Sequence, residues 1–266
     1  MTAPSLELEA VFFRHPGAAR DALNGAALQL HAGEIVGVVG PNAAGKGTLA
    51  RVAATLLAPD AGTVRLSGDD ARKLSRRERA LRVAFLAQDE PSDLPFTARE
   101  IALMGRAPHL GLWALEGESD RAEAQAALEE LDAAHLADRP ASQLSGGERK
   151  RVYLARTFAQ GAPVLVLDEP TDALDLRHQA RLVEALRERA RSGGSALLVM
   201  HDLSLAGSAC DRVVLLHEGR VAAAGPPAEV LRAEALEPVY GARIDVFPHP
   251  RSGRPLVTVR ITPETG

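Results

Sequence analysis

The chain lacks several features that mark secreted and membrane-spanning proteins. Cys210 is its only cysteine, which excludes an internal disulfide and is typical of a reducing compartment. No uninterrupted apolar run approaches the roughly 18 residues of a membrane-spanning helix, so no membrane-spanning helix is expected. The first residues have neither a basic start nor a long apolar core, which predicts no secretory signal peptide.

An excess of charge of one sign is also missing. Charged residues make up 25% of the 266 residues and the formal net charge is -4. This balance is ordinary for a globular protein and gives no general attraction to nucleic acid, so we expect no nucleic-acid partner. The length suits one large α/β domain or two small ones, with enough residues to bury a sizeable core.

Short apolar runs separated by turns and helical stretches predict an α/β protein. Helical patterning dominates between Asp89 and about Ala159, where Leu128 and Leu131 recur at helical spacing, and this predicts a helical insertion into the α/β core. The runs interpreted as strands or hairpins are residues 6–13, 26–33, 34–40, 59–68, 83–88, 164–170, 196–202, 212–225 and 255–261.

The segment GPNAAGKG, from Gly40 to Gly47, fits the core of a phosphate-binding loop. It follows an apolar run that predicts a buried strand and precedes a run that predicts a helix, which is the context that this loop requires. Its glycines let successive N–H groups face a phosphate, and Lys46 adds a positive charge. The candidate nucleotide-binding residues here are Gly40, Pro41, Asn42, Ala43, Ala44, Gly45, Lys46, Gly47 and Thr48.

Two further motifs follow: LSGGE, from Leu144 to Glu148, and VLVLDEP, residues 164–170. With these three motifs the chain resembles the ATP-binding subunit of ABC transporters, from about Leu6 to Gly241. The resemblance implies an α/β fold with a P-loop NTPase (RecA-like) core, an N-terminal antiparallel β subdomain and an inserted α-helical subdomain. It implies one nucleotide-binding domain over residues 1–266, with ATP and Mg²⁺ as cofactors. We assign residues 1–88 and 160–242 to the core, 89–159 to the helical subdomain and 243–266 to a C-terminal tail.

Acidic and polar residues follow the apolar runs that predict buried strands. Asp168 and Glu169 would lie at the carboxyl edge of a sheet, where α/β proteins bind ligands. We expect Asp168 to hold Mg²⁺, directly or through water, and Glu169 to act as the general base towards water. The resemblance implies that Gln88 touches Mg²⁺ or the attacking water; the alternative is an ordinary polar residue at a strand terminus. It also implies that His201 contacts the γ-phosphate; the alternative is a histidine with a structural role.

The LSGGE motif predicts a second phosphate site at the start of a helix. Ser145, Gly146 and Gly147 would present a hydroxyl and backbone N–H groups at the positive helix end. In the resembled family this motif completes the ATP site of the opposite subunit, which implies a head-to-tail dimer. Asp175 matches the family's loop that crosses the interface.

His15 stands where the family usually has an aromatic residue that stacks on adenine. An imidazole can stack as well, over a smaller face. The alternative is a plain turn residue before Pro16.

Gly47 departs from the family pattern, which has Ser or Thr there to bind Mg²⁺. Thr48 cannot substitute, because the next helical residue points roughly 100° away. A water can fill the place, since Mg²⁺ commonly keeps several waters. We expect a loss of about 1–3 kcal/mol, which is roughly 5- to 150-fold in metal affinity or rate. Because Glu169, His201 and Gln88 are all present, we expect slow ATP hydrolysis rather than none.

The segment IALMGRAPHLG, residues 101–111, resembles ABC importers of iron–siderophore complexes, haem and vitamin B12. These importers pair two ATPase subunits with two ABC permease subunits and an extracytoplasmic substrate-binding protein. The resemblance therefore implies a homodimer, peripheral at the cytoplasmic face of the membrane. The loop from Asp89 to Trp113 would face the permease; its apolar residues, Pro91, Leu94, Pro95, Phe96, Leu110, Leu112 and Trp113, could instead pack within the insertion.

Two rival functions remain open at the level of sequence. One is a nucleotide-binding regulatory or structural subunit with weak or no hydrolysis, which only Gly47 favours. The other is an ABC protein that acts on DNA or ribosomes. Such proteins usually carry paired ATPase domains or long coiled-coil insertions, and neither is visible in the sequence.

Overall fold

The computed structural model describes residues 3–111 and 115–261, in which strands and helices alternate along the chain. The strands are β1 Leu6–Phe13, β2 Leu23–Leu30, β3 Ile35–Val39, β4 Ala61–Leu66, β5 Asp69–Asp70, β6 Val83–Leu86, β7 Val164–Asp168, β8 Ser195–Val199, β9 Arg212–His217, β10 Arg220–Gly225, β11 Ile244–Pro248 and β12 Pro255–Val259. The α-helices are α1 Lys46–Ala53, α2 Arg76–Ala80, α3 Ala98–Met104, α4 Glu118–Glu130, α5 Gly146–Ala159, α6 Leu176–Arg191, α7 Leu203–Ala209, α8 Pro227–Val230 and α9 Ala233–Tyr240.

A six-stranded sheet in the order β10-β9-β3-β8-β7-β6 forms the centre of the fold. Strands β9, β3, β8, β7 and β6 are parallel, and β10 closes the sheet as an antiparallel hairpin partner of β9. The carboxyl ends of β3, β8, β7 and β6 therefore lie side by side at one edge. These four strands are followed by the phosphate loop, His201, Glu169 and Gln88, so the topology brings the predicted site residues to one place.

Both faces of the central sheet are covered, which explains why its strands are continuously apolar. In β3, Val36 and Val38 join a core that includes α1 and the N-terminal strands. Ile35 and Val39 point to the opposite face, into a second core that includes the helices of residues 98–159. The alternation follows from the two-residue period of a strand.

The N-terminal strands form a second, antiparallel sheet in the order β2-β1-β4-β5. The α/β fold with a P-loop core, an antiparallel N-terminal sheet and inserted helices is thus confirmed. Across the described residues, no helix is long and apolar enough to cross a bilayer. The division into a core, a helical subdomain and a tail stays a prediction.

Some element boundaries differ from the sequence-based expectation. Strand β6 ends at Leu86, two residues before Gln88, which therefore lies in a loop rather than at the strand terminus. Leu131, which the helical spacing included, lies just beyond α4: the helix ends at Glu130, because Asp132 has a left-handed backbone (φ 53°) that no regular helix continues. The sequence analysis did not predict β11, because the apolar strand pattern is stronger in its partner β12.

The GRAPH segment, residues 105–109, holds the C-terminal end of α5. Arg106 donates from Nη1 to the Ala159 carbonyl oxygen (2.8 Å) and from Nε to Asp120 (3.0 Å). The His109 ring nitrogen Nε2 lies 2.8 Å from the Gln160 carbonyl oxygen. The last carbonyls of a helix have no partner within the helix, so these side chains satisfy them. The motif shared with chelate importers thus has a structural role at the helix that begins with LSGGE.

Replacement of Arg106 is expected to destabilise this region. Arg106→Ala removes the donor to the buried Ala159 carbonyl, and an unsatisfied buried acceptor costs about 1–3 kcal/mol. Urea titration should show a lower transition midpoint with an unchanged slope. Arg121→Ala on exposed α4 surface is the matched control. Equal midpoints for the two variants would contradict the assigned role of Arg106.

Candidate nucleotide-binding site

The phosphate loop connects β3 to α1 and has no room for side chains at two of its glycines. A Cβ on Gly40 would lie 2.2 Å from the Leu216 carbonyl oxygen, and one on Gly45 would lie 2.3 Å from the Ala22 carbonyl oxygen. Gly45 (φ 101°) and Ala43 (φ 61°) have left-handed backbones. Such a conformation turns successive N–H groups towards one point, and the loop ends at the N-terminus of α1. The loop therefore has the geometry of an anion site.

Lys46 is the first residue of α1 and its side chain is buried at the loop. Its Nζ donates to the carbonyl oxygens of Gly40 (2.8 Å) and Pro41 (3.0 Å). Burial lowers the pKa of Lys46, and the charges of Glu169 and Asp168 oppose that shift. The ammonium is thus placed between the loop and two carboxylates, where it can meet a phosphate oxygen.

Glu169 is the centre of the polar cluster at the end of β7. Its carboxylate accepts a hydrogen bond from Gln88 Nε2 at 2.8 Å, and its other oxygen contacts Nε2 of His201. The backbone of Glu169 is left-handed (φ 49°), a conformation that costs a non-glycine residue about 1–3 kcal/mol. Strain of this kind is typical of functional positions. Two residues that follow other strands, Gln88 after β6 and His201 after β8, therefore converge on this one buried carboxylate.

Asp168 precedes Glu169 and is 1% exposed. Its Oδ2 is buried and has no hydrogen-bond partner among the described residues, and burial raises the pKa of Asp168. A Cβ on Gly47 would lie 3.1 Å from this oxygen. An unpartnered buried oxygen is costly, so its position next to the phosphate loop indicates a place for a ligand.

Residues of the described ranges do not build a metal site by themselves, since no three His, Cys, Asp or Glu side chains converge there. Mg²⁺ usually takes only one or two carboxylates from a protein and the rest of its oxygens from water and phosphates. The unpartnered Asp168 oxygen and the amide of Gln88 fit such a sparse site. The donor set is therefore suited to Mg²⁺ that arrives with a nucleotide.

Two charged residues near this cluster were missed by the sequence analysis. Burial and a hydrogen bond to Glu169 raise the pKa of Asp172, which lies three residues after Glu169. Lys150 is buried on α5 and donates to the Gln88 carbonyl oxygen at 3.2 Å. Neither belongs to a motif to which the sequence analysis gave a chemical role. The packing of α5 against β6 places Lys150 at Gln88, near the acidic end of β7.

His15 lies at the mouth of the same cleft. Its Nε2 is 3.1 Å from the Thr48 hydroxyl, and its ring meets Phe13 edge to face with centroids 5.0 Å apart. The ring is therefore oriented by α1 as well as by β1. Adenine stacking on His15 stays a prediction.

An open cleft of about 590 Å³ joins these groups. Its lining residues are His15, Ala22, Asn42, Ala43, Gly45, Lys46, Gly47, Thr48, Arg51, Gln88, Asp168, Glu169 and His201. Six of the nine predicted phosphate-loop residues and every predicted catalytic and metal-binding residue thus face one cavity.

The LSGGE residues lie outside that cleft. Ser145 caps α5 by accepting from the Glu148 N–H, and Asp175 caps α6 in the same way from His178. A Cβ on Gly147 would lie 2.7 Å from the Ala173 carbonyl oxygen, so the motif packs against the loop that leads to Asp175. The predicted residues therefore form two groups on this chain, one around the phosphate loop and one around the start of α5.

Comparison with protein families gives a match to the family model described as "ABC transporter" over residues 23–172. A hemin import ATP-binding protein of Streptomyces coelicolor is 46% identical over 244 residues, which cover 92% of this chain and 86% of that protein. A cobalamin import ATP-binding protein of Halobacterium salinarum is 43% identical over 227 residues, which cover 85% of this chain and 56% of that protein.

Solved structures have the same fold. A metal-chelate type ABC transporter in an inward-facing conformation aligns with a TM-score of 0.82 over 97% of this chain and 98% of that chain, at 24% identity. An ATP-binding cassette solved as a dimer in a post-hydrolysis state with ADP and Pi aligns with a TM-score of 0.75 over 84% of this chain and 98% of that chain, at 26% identity. The family model covers more than half of the chain, which therefore belongs to the ABC transporter family as an ATP-binding subunit.

Proposed function

We propose that this chain is the ATP-hydrolysing subunit of an ABC importer that powers uptake of a metal chelate: siderophore iron, haem or cobalamin. The observation that carries hydrolysis is the placement of Glu169 between Gln88 and His201, facing the same cleft as Lys46. The chelate is inferred from the curated relatives, which are hemin and cobalamin import ATP-binding proteins.

The proposed mechanism assigns one task to each group in the cleft. The loop amides and Lys46 bind and orient the phosphates. Glu169 accepts the proton of the attacking water, and Gln88 keeps the carboxylate oriented by donating to Oε2. His201 contacts the other carboxylate oxygen and would contact the γ-phosphate of a bound nucleotide.

Mg²⁺ would be held by Asp168 and Gln88, with the remaining positions left to water and phosphate. When bound, it neutralises charge that develops on the phosphates during hydrolysis. The unpartnered Oδ2 of Asp168 supports this assignment, because a cation would satisfy it.

The partners are a second copy of this chain and two ABC permease subunits at the cytoplasmic face of the membrane, with an extracytoplasmic substrate-binding protein as an indirect partner. Separation of the LSGGE group from the phosphate-loop cleft supports a head-to-tail homodimer. In such a dimer, Ser145, Gly146 and Gly147 of one copy would complete the nucleotide site of the other, with Asp175 at the interface.

Recruitment to the permease is expected to depend on the Asp89–Trp113 loop. Phe96 and Met104 are exposed apolar residues of this segment, whereas Leu112 and Trp113 lie outside the described residues. Phe96→Asp with Met104→Asp should reduce recovery of the chain with permease-containing membranes by about 10-fold or more, since each buried contact contributes a few kcal/mol. ATP binding should not change.

Phe247→Asp, at an exposed apolar position on β11, is the matched control for recruitment. The expected result is normal membrane recovery for the control and reduced recovery for the loop variant. Unchanged recovery of the loop variant would contradict the assigned contact surface.

The function is tested by reconstitution with a candidate permease and binding protein in vesicles. Uptake of haem, cobalamin and a ferric siderophore is measured with and without ATP. Uptake of one of them that requires ATP supports the proposal, and ATP hydrolysis without uptake of any chelate contradicts the substrate class.

A second candidate function is a nucleotide-binding regulatory or structural subunit with weak or no hydrolysis. The observation in its favour is Gly47, which supplies no hydroxyl beside Asp168. Turnover of Mg·ATP by the purified chain separates the two functions, because only the first requires it.

A further inference from the structure

Lys150 is a buried cation that the proposed mechanism does not use. It lies on α5, five residues after Ser145, and is 7% exposed. Its Nζ donates to the Gln88 carbonyl oxygen at 3.2 Å. Burial of an ammonium is costly unless charges and hydrogen bonds compensate it, so the surroundings of Lys150 must supply both.

Carboxylates from neighbouring elements lie close enough to stabilise the charge of this ammonium. Glu90 follows β6, Asp168 and Glu169 end β7, and Asp172 lies in the next turn; burial lowers the pKa of Lys150 and these four charges oppose the shift. Through its bond to the Gln88 carbonyl oxygen, the cation joins α5 to the loop that follows β6, near the acidic end of β7.

Two more contacts join the same face of α5 to the same loop. The Tyr153 hydroxyl donates to the Pro91 carbonyl oxygen at 2.8 Å, and Arg156 lies 4.0 Å from Glu90. Residues three apart on a helix share a face, so Lys150, Tyr153 and Arg156 form one row along residues 88–91. Lys150 is the member of this row that reaches Gln88.

We infer that Lys150 is a positioning residue for hydrolysis: it fastens the Gln88 backbone to α5 and so holds the Gln88 amide on Glu169. The inference rests on the proposed hydrolytic function. The contacts run in series, from Lys150 Nζ to the Gln88 carbonyl oxygen and from Gln88 Nε2 to Glu169 Oε2. Because α5 also begins with the LSGGE residues, a shift of this helix changes the orientation of the general base.

The test compares Lys150→Met, Lys150→Arg and Lys73→Met. Methionine keeps the unbranched side chain and removes the donor, whereas arginine keeps a charged donor. Lys73 is exposed, and the chain has only one other lysine, Lys46, so Lys73→Met is the matched control. Measurements are hydrogen exchange of residues 86–91 without nucleotide, the Kd for ATP, and kcat and KM.

Lys150→Met is expected to exchange faster at residues 86–91, with the rest of the chain protected as in the wild type. Its kcat should fall about 10-fold or more and its KM should stay within about 3-fold, because the Gln88–Glu169 contact serves the reaction rather than ATP binding. Lys150→Arg should recover most of kcat, and Lys73→Met should match the wild type.

Unchanged exchange at residues 86–91 in folded Lys150→Met overturns the inference. Faster exchange throughout α3, α4 and α5 overturns it as well, because that pattern indicates a general packing role. If the Met variant does not fold, Lys150→Leu, which also lacks a donor, takes its place under the same criteria. An absence of turnover in the wild type contradicts the proposed function, while hydrogen exchange still decides whether Lys150 holds the loop.

Discussion

Glu169→Gln is expected to lower the steady-state ATPase rate by about 10²- to 10⁴-fold, the usual contribution of a positioned general base. The amide cannot accept the proton of water, but it keeps the size of the carboxylate and can still accept from Gln88 Nε2. ATP binding should stay within a few-fold, because the loop amides and Lys46 are unchanged. Rates are measured at saturating Mg·ATP against the wild type.

The same variant should accumulate as an ATP-bound dimer, because hydrolysis no longer separates the two copies. Sedimentation of Glu169→Gln with Mg·ATP is expected to show twice the monomer mass. Without nucleotide, the same variant is expected to sediment as a monomer. Glu184→Gln, at an exposed position on α6, is the control and should behave as the wild type. A monomer at saturating nucleotide, with binding demonstrated, would contradict the sandwich dimer.

Residues at strand ends were the most predictable part of the site. Each apolar run is long enough to read as a buried strand, and parallel strands end at a common edge. This pattern predicted Asp168 and Glu169 at the ligand-binding edge of the sheet, whereas the place of His201 in the site was implied by the resemblance to ABC transporter subunits. Gln88 was assigned to the same cluster although it lies two residues beyond its strand, because the loop that follows β6 turns back to Glu169.

Contacts between the inserted helices and the core could not be predicted from the sequence. Lys150 and Asp172 have ordinary sequence neighbours, and their importance depends on how α5 packs against β6, which brings Lys150 near the end of β7. The role of Arg106 at the end of α5 is hidden for the same reason, since its partner Ala159 is 53 residues away. Periodicity describes one element at a time, whereas these contacts join elements that are distant in the chain.

Gly47→Ser is expected to raise turnover about 5- to 150-fold and to lower the Mg²⁺ concentration for half-maximal rate, since one ligand interaction with a charged group is worth about 1–3 kcal/mol. The structure places the new side chain beside Asp168: a Cβ on residue 47 would lie 3.1 Å from the unpartnered Oδ2. This spacing is tight, so the carboxylate must shift by a few tenths of an ångström. The serine hydroxyl would then lie where the family pattern has its Mg²⁺ ligand.

Gly47→Ala separates the hydroxyl from the other effects of the substitution. Both variants replace glycine in the first turn of α1, which adds up to about 1 kcal/mol of helix stability, and both bring the same Cβ towards Asp168. The difference between Ser and Ala therefore reports the hydroxyl alone. In EDTA, the Gly47→Ser variant is expected to unfold at a higher temperature than the Gly47→Ala variant. The serine hydroxyl can donate to the buried Asp168 oxygen, which adds about 1 kcal/mol to the free energy of unfolding.

The ATPase rate is measured against Mg²⁺ concentration for Gly47, Gly47→Ser and Gly47→Ala. If Ala and Ser raise the rate alike, the ligand argument is wrong and Gly47 is only a matter of backbone and packing. If neither variant changes the rate, a water already takes the place of the hydroxyl at the Mg²⁺ site with no measurable loss of activity. A higher rate and a lower Mg²⁺ requirement for Ser alone would show that the missing hydroxyl limits hydrolysis, and that the chain is a slow ATPase because of one residue next to an otherwise complete site.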